Sequence, residues 1–322
     1  MTTQHAGIVW NPSKTSKEQL QGALGEAAEL CVSWFETSEE DPGGGAAQRA
    51  VEAGADVVLA AGGDGTVRAV AEYLAGSDAG VDLGIIPLGT GNLLARNLGV
   101  PVDDLGAAFE RALHGEADPI DIGWVMLGGG DEPRQGAAAN GTRRHAFAVM
   151  AGFGLDAHMI TETDDDLKDR AGWLAYVESL GRAFSASEVI GVRLTEPDGA
   201  TSGAQAHTLI IGNCGQLQAG VTLLPDANPA DGELDLLVLS ADSISGWADT
   251  LKNFVWDNGI RRLLGASGDD EKAKSTDSTA HRRVTGLLLE LSEPRVFEVD
   301  GDTLGETSRI EITVQAAAVW VR

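Results

Sequence analysis

Short apolar runs closed by turn residues organise the first third of the chain. Ala6–Trp10 reads as an apolar strand stopped by Asn11-Pro12. Asp56–Ala61 (DVVLAA) reads as a buried strand closing on Gly62-Gly63, followed by a helical stripe of Val67, Val70, Ala71 and Leu74. Leu83–Pro87 (LGIIP) is another buried strand, then Leu88-Gly89-Thr90-Gly91-Asn92 and a short helix to about Leu98. Strand, glycine loop and helix thus occur twice, the grammar of an α/β sheet that binds ligands at the carboxyl ends of its strands.

After Pro119 the texture changes. Ile120–Leu127, His145–Met150, Val189–Leu194, His207–Gly212, Glu233–Leu239, Thr285–Leu291 and Arg295–Val299 read as short strands separated by turn residues. Many strands with few helices predict an antiparallel sandwich or barrel. Asp169–Phe184 reads as a helix with Leu174, Val177 and Leu180 along one face, and Gly128–Arg144 and Gly265–Ala280 read as exposed loops. Leu251–Leu264 has an apolar face beside Lys252, Arg261 and Arg262, which suits either a membrane-facing helix or one packed on the sandwich.

At 322 residues the chain is long enough for two cores. The expected division is an α/β domain over 1–118, rejoined by a last strand near 306–322, and a β-rich domain over 119–305. Lys and Arg total 23 against 49 Asp and Glu, a net charge of −26. That balance speaks against nucleic-acid binding and against docking on anionic lipid through a basic patch. The two cysteines lie far apart, and the first residues show neither a basic n-region nor an apolar stretch, so a reducing, cytoplasmic setting is expected.

The chemistry concentrates in Gly62-Gly63-Asp64-Gly65-Thr66. Glycines let backbone N–H groups approach phosphates, and the helix that follows adds partial positive charge. Thr66 can cap that helix or bond a phosphate oxygen. Asp64 would repel bare phosphate, so it suits a cation or its bound water, or simply a cap. The second loop, with Gly89, Thr90 and Asn92, could form the facing wall of a nucleotide triphosphate site. No GxxxxGK[ST], GxSxG or HExxH pattern is present, and the six histidines show no metal-ligand spacing.

GGDGTVRAVAEYL (62–74) with PLGTGNLLARNLGVP (87–101) resembles the diacylglycerol kinase catalytic family. Further blocks agree in order: the Asn11-Pro12 turn, AGFGLDAHM (151–159), Lys168 with GWLAYV, Asn213 with PDANPADGELDLLVL (225–239), and EVDGD (298–302). The resemblance implies a Rossmann-like, NAD-kinase/diacylglycerol-kinase type nucleotide-binding domain and a C-terminal antiparallel β-sandwich, with the active site between them. It implies ATP and Mg²⁺ as cofactors and a lipid hydroxyl, presented by a membrane, as acceptor. Gly62, Gly63, Gly65 and Thr66 would approach the phosphates, with Gly89, Thr90 and Asn92 opposite. Asn11 would shape the nucleotide pocket. Asp64 would hold Mg²⁺ through water, and Asp231 falls in a loop that holds a structural cation in some members. Asp300 matches the family's general base, Asp302 the acid beside it, and Lys168 a lysine flanking the reaction centre. Homodimers and contact with the inner membrane face are expected by analogy.

The sequence departs from the family pattern at three places. Leu93 stands where many members carry Asp, Asp302 where Glu is usual, and Ser13-Lys14 where Ser-Gly often follows Asn-Pro. Asp300-Gly301 is also a strong hairpin signal by itself. Two alternatives therefore accompany the lipid kinase: a soluble NAD-kinase-like small-molecule kinase, and a non-catalytic nucleotide- or lipid-binding regulator.

Overall fold

The computed structural model describes residues 4–25, 30–128, 144–154, 189–217, 222–239 and 279–322. Lys168 and the segments read as helices over 169–184 and 251–264 lie outside them, as does most of both expected loops.

The chain opens with β1 (Gln4–Trp10), α1 (Lys17–Leu24), β2 (Leu30–Glu36), α2 (Gly44–Glu52), β3 (Val57–Gly62), α3 (Asp64–Ala75), β4 (Asp82–Pro87), α4 (Leu93–Asn97) and α5 (Leu105–His114). The four strands lie parallel in the order β2-β1-β3-β4. β3 is buried along its whole length, which is why it reads as a continuous apolar run rather than an alternating one. Local chemistry sets the helix starts: Ser16 and Gln19 form a capping box for α1, and the Asp104 carboxylate accepts the N–H of Ala107 to start α5. Small residues bring α2 onto the sheet. A Cβ at Gly7 would stand 2.7 Å from the Ala50 Cβ.

The second half is antiparallel: β5 (Asp118–Gly128), β6 (Arg144–Phe147), β7 (Met150–Phe153), β8 (Ile190–Thr195), β9 (Thr201–Ala206), β10 (Thr208–Gly212), β11 (Leu234–Leu239), β12 (Thr279–Val284), β13 (Gly286–Val299) and β14 (Asp302–Val321). Where the sequence pattern suggested two strands over 285–299, the structure has one, β13, with its register broken between Glu290 and Arg295. β9 and β12 escaped the pattern because TSGAQA and TAHRRV lack the apolar alternation that marks a half-buried strand.

β14 joins the halves. It pairs with β13 and β5, and at Val321 it lies parallel to Leu83 of β4. One apolar core fills the space around the parallel strands and helices, centred on residues such as Ile8, Leu59, Ile86 and Phe109. A second, with Phe147, Leu209, Leu289 and Phe297, fills the β-rich half. Asp121 on β5 is a buried acid near the junction: its carboxylate accepts the N–H groups of Ala317 at 2.8 Å and Gly232 at 2.6 Å.

Candidate active site

A cavity of about 590 Å³ opens between the two cores. Its walls come from both halves: the loop after β1, the glycine loops after β3 and β4, the β7 strand, and the turn between β13 and β14.

The two glycine loops touch backbone to backbone. A Cβ at Gly89 would lie 2.8 Å from the Gly63 Cα and 2.9 Å from the Asn92 Oδ1, so no side chain fits there. Asn92, in the left-handed region at φ 47°, turns its amide back on Gly89, accepting from its N–H at 2.8 Å and donating to its carbonyl at 2.6 Å. Asp64, the first residue of α3, crosses the gap: one carboxylate oxygen accepts the N–H of Asn92 at 2.8 Å and the other that of Leu93. Helix α3 itself begins at Gly63 without a side-chain cap. The N–H groups of its first turn have no partner within the helix, as at any helix start.

Of the residues singled out in the sequence, Asn11, Gly63, Asp64, Gly65, Thr66, Gly89, Thr90, Asp300 and Asp302 line this cavity. Gly62 and Asn92 stand behind it. Gly62 makes room for the Thr66 side chain, since a Cβ there would sit 2.5 Å from the Thr66 Cβ. Asp231 does not line the cavity; it is exposed, accepts the N–H of Glu233 at 3.1 Å and lies 3.8 Å from the Arg283 guanidinium. Leu93 lines the wall beside Asp64.

Asp300 and Gly301, both at positive φ, make a two-residue turn between Val299 and Asp302. The hairpin and the site are therefore one feature. The turn drives the Asp300 carboxyl group into the protein, where the N–H groups of Ala148 (2.8 Å), Val149 (2.9 Å) and Met150 (2.9 Å) hold it. Burial pushes its pKa up to about 6, although those three N–H groups and the Arg68 cation pull the other way. Behind this cradle Asn213 is buried, donating to the carbonyls of Asp121 and Ala148, and Cys214 donates to the same Ala148 carbonyl. Burial, reinforced by the Asp300 charge, raises the Cys214 thiol and keeps it neutral.

The sequence reading missed Arg68, Gly91 and the Ala148–Met150 backbone. Arg68 stands four residues after Asp64, on the next turn of α3, and that spacing was the available signal. Its guanidinium reaches Asp302 at 2.5 Å and Glu72 at 3.4 Å, and its Nε is buried with no hydrogen-bond partner among the described residues.

The described residues contain no cluster of three His, Cys, Asp or Glu that would cage a metal. Asp64 is pinned by two N–H groups, and Asp302 by Arg68. A resident, protein-caged ion does not fit this donor set. Mg²⁺ arriving on a triphosphate needs only one or two carboxylates, and the fixed Asp64 meets that requirement.

Residues 5–125 match the family model of the diacylglycerol kinase catalytic domain. Residues 149–256 match that of the "YegS C-terminal NAD kinase beta sandwich-like domain". A protein of Stenotrophomonas maltophilia named "Probable lipid kinase YegS-like" is 34% identical over 74% of this chain and 74% of its own length. One of that name from Xanthomonas campestris is 31% identical over 100% of this chain and 96% of its own. A crystal structure of a diacylglycerol kinase from Bacillus anthracis superposes with a TM-score of 0.66 at 19% identity, covering 99% of this chain and 96% of that one, a likeness of fold.

Proposed function

The chain belongs to the family of YegS-like lipid kinases with a diacylglycerol kinase catalytic domain, phosphotransferases with an alcohol acceptor, and on that premise we propose that it transfers the γ-phosphate of Mg²⁺-ATP to a lipid hydroxyl. The observation that carries the reading is Asp300: a partly buried carboxylate, held by three backbone N–H groups and with a raised pKa, facing the same cavity as both glycine loops.

The division of labour follows from phosphoryl transfer, in which positioning and charge neutralisation outweigh covalent chemistry. The α3 N-terminus and the Gly63–Thr66 backbone face the phosphates, and Thr90 and Gly91 close the opposite wall. Asn11 and Lys14 line the same cavity. Bound Mg²⁺ would neutralise phosphate charge, with Asp64 reaching it through water. Asp300 accepts the proton of the lipid hydroxyl as its oxygen bonds the γ-phosphorus and the bond to ADP breaks. Met150, Ala151, Phe153, Ile210 and Leu217 give this cavity an apolar side suited to the glycerol end of an acylated lipid such as diacylglycerol. No described helix is long and apolar enough to cross a membrane. From the family resemblance we propose that the acceptor is presented at a membrane surface, on the inner face of the cytoplasmic membrane. Lys168, next to the reaction centre by family resemblance, belongs to the same proposal, as do a cation at Asp231 and assembly as a homodimer.

The test is γ-labelled ATP with Mg²⁺ and a panel of lipids, alongside NAD. Label entering the organic phase with diacylglycerol or a related lipid supports the proposal. Label found only in the aqueous phase with NAD as acceptor overturns it in favour of a soluble small-molecule kinase. ATP binding without turnover on any acceptor overturns it in favour of a regulator, the reading that Leu93 and Asp302, the two departures from the family's acids, support.

A further inference from the structure

One cation in the cavity wall has no part in the scheme above. Arg68 is held by two acids on opposite sides: its Nη2 bonds Asp302 at 2.5 Å and its Nη1 meets Glu72 at 3.4 Å. The Glu72 carboxylate in turn accepts the N–H of Ala146 at 3.1 Å. Two residues further along the chain, just past the end of β6, begins the run of N–H groups, Ala148 to Met150, that holds Asp300. Asp300 is separated from Asp302 only by Gly301. The contacts therefore close a ring that passes through helix α3, the 146–150 strap and the β13–β14 turn, and returns to Arg68.

From this ring we infer that Arg68 is a positioning residue for the transfer, fixing the Asp300 carboxylate through Asp302 on one side and through Glu72 and the 146–150 strap on the other. The inference rests on the lipid-kinase reading and adds a residue to it. Three features of the geometry support it. The turn is only two residues long, so a displacement of Asp302 is passed directly to Asp300. Asp302 is itself half-exposed, and Arg68 is the cation that ties it to α3, whose N-terminus carries the phosphate-facing loop. The Arg68 side chain is 13% exposed, enclosed enough that its two partners define its place. A guanidinium can serve both acids at once because its donors form a planar fork, whereas an ammonium is a point charge that must favour one.

Among the described residues, the charged and titratable groups that share the cavity with Asp300 or bear on its charge are Lys14 after β1, Arg68 and Asp64 from α3, Asp302 from β14, Glu298 from β13 and Cys214 after β10. Arg68 is the cation that favours the ionised carboxylate.

The experiment uses full-length Arg68→Met and Arg68→Lys with Mg²⁺-ATP and diacylglycerol in mixed micelles. Arg68→Met is expected to lower kcat by about 10–100-fold, the scale of a misplaced catalytic group, while KM for ATP stays within about threefold. The acid limb of its pH–rate profile is expected to move up, since the Arg68 cation favours the ionised carboxylate. Arg68→Lys should recover part of kcat, and Asp302→Asn combined with Arg68→Met should be no worse than the poorer single variant, since both open the same ring. A raised KM for ATP with kcat unchanged overturns the inference and makes Arg68 a phosphate-binding group. An unmoved acid limb overturns it as well. Should the wild-type protein fail to phosphorylate any lipid, the functional reading falls separately, and the ring is then read by NMR titration of the ¹³C-labelled Asp300 carboxyl group: an unchanged titration in Arg68→Met sinks it.

Discussion

Asp300 sits where two demands of one carboxylate meet. Its N–H cradle stabilises the charged form and its burial opposes it, and burial wins, leaving the group near pH 6. A base must be ionised to accept a proton, so kcat/KM is expected to fall as pH drops through about 6 and to level off above pH 7; a profile flat down to pH 5 would contradict this. The same shift has a stability consequence of opposite sense. The folded state holds this proton more tightly than the unfolded chain does, so the group's burden on the fold is present above pH 6 and is relieved as pH falls from 6 toward 4. Asp300→Asn should therefore remove that part of the pH dependence of Tm, which thermal melts at pH 5 and 7 will read. The Asp-Gly pair was legible in the sequence as a turn, and family resemblance marked it as a base. Its protonation behaviour was not legible, because the three N–H groups come from residues some 150 positions away.

The glycine loops show why small residues recur there. The sequence suggested that they bring N–H groups to phosphate, and Gly63, Gly65 and Gly89 line the cavity. The packing adds a second reason, since Gly63 and Gly89 touch and Asp64 stitches one loop to the other. Gly89→Ala is expected to cost about 1–3 kcal/mol through overpacking and to weaken ATP binding by separating the walls. Denaturant melts and calorimetry with ATP check both effects, and an alanine variant with wild-type affinity would refute the loop contact. The parallel strands were readable because burial on both faces makes an uninterrupted apolar run. β9 and β12 were not, since an exposed edge strand and one carrying His281, Arg282 and Arg283 give no alternation to read. Arg68 was hidden for a related reason: on a helix wheel it is one more polar residue, and only the return of β14 brings Asp302 against it.

At the scale of the whole molecule, Asp121 and β14 hold the halves together. The carboxylate of Asp121 serves N–H groups of the loop before β11 and of β14, and Asp121→Ala would leave two donors unpaired, a loss of about 3 kcal/mol expected in denaturant melts. Asp121 was not singled out in the sequence, because one acid in the apolar run PIDIGWV gives no sign of the N–H groups it serves. The net charge of −26 bears on how ligands arrive. Long-range repulsion slows the approach of a polyanion, and salt screens it as the Debye length falls from about 30 Å to about 8 Å. The ATP association rate should therefore rise with ionic strength in stopped-flow measurements; a steep fall would mean that local cations govern the encounter instead.

The proposed role of Asp300 is to take the proton of a lipid hydroxyl in a cavity that also binds ATP. It is tested most directly by comparing Asp300→Asn with the wild-type chain, measuring label transferred from γ-labelled ATP to diacylglycerol and ATP affinity by calorimetry on the same samples. Transfer is expected to fall by about 10²–10⁴-fold, with ATP affinity changed by less than about threefold. Transfer at the wild-type rate in Asp300→Asn would contradict it.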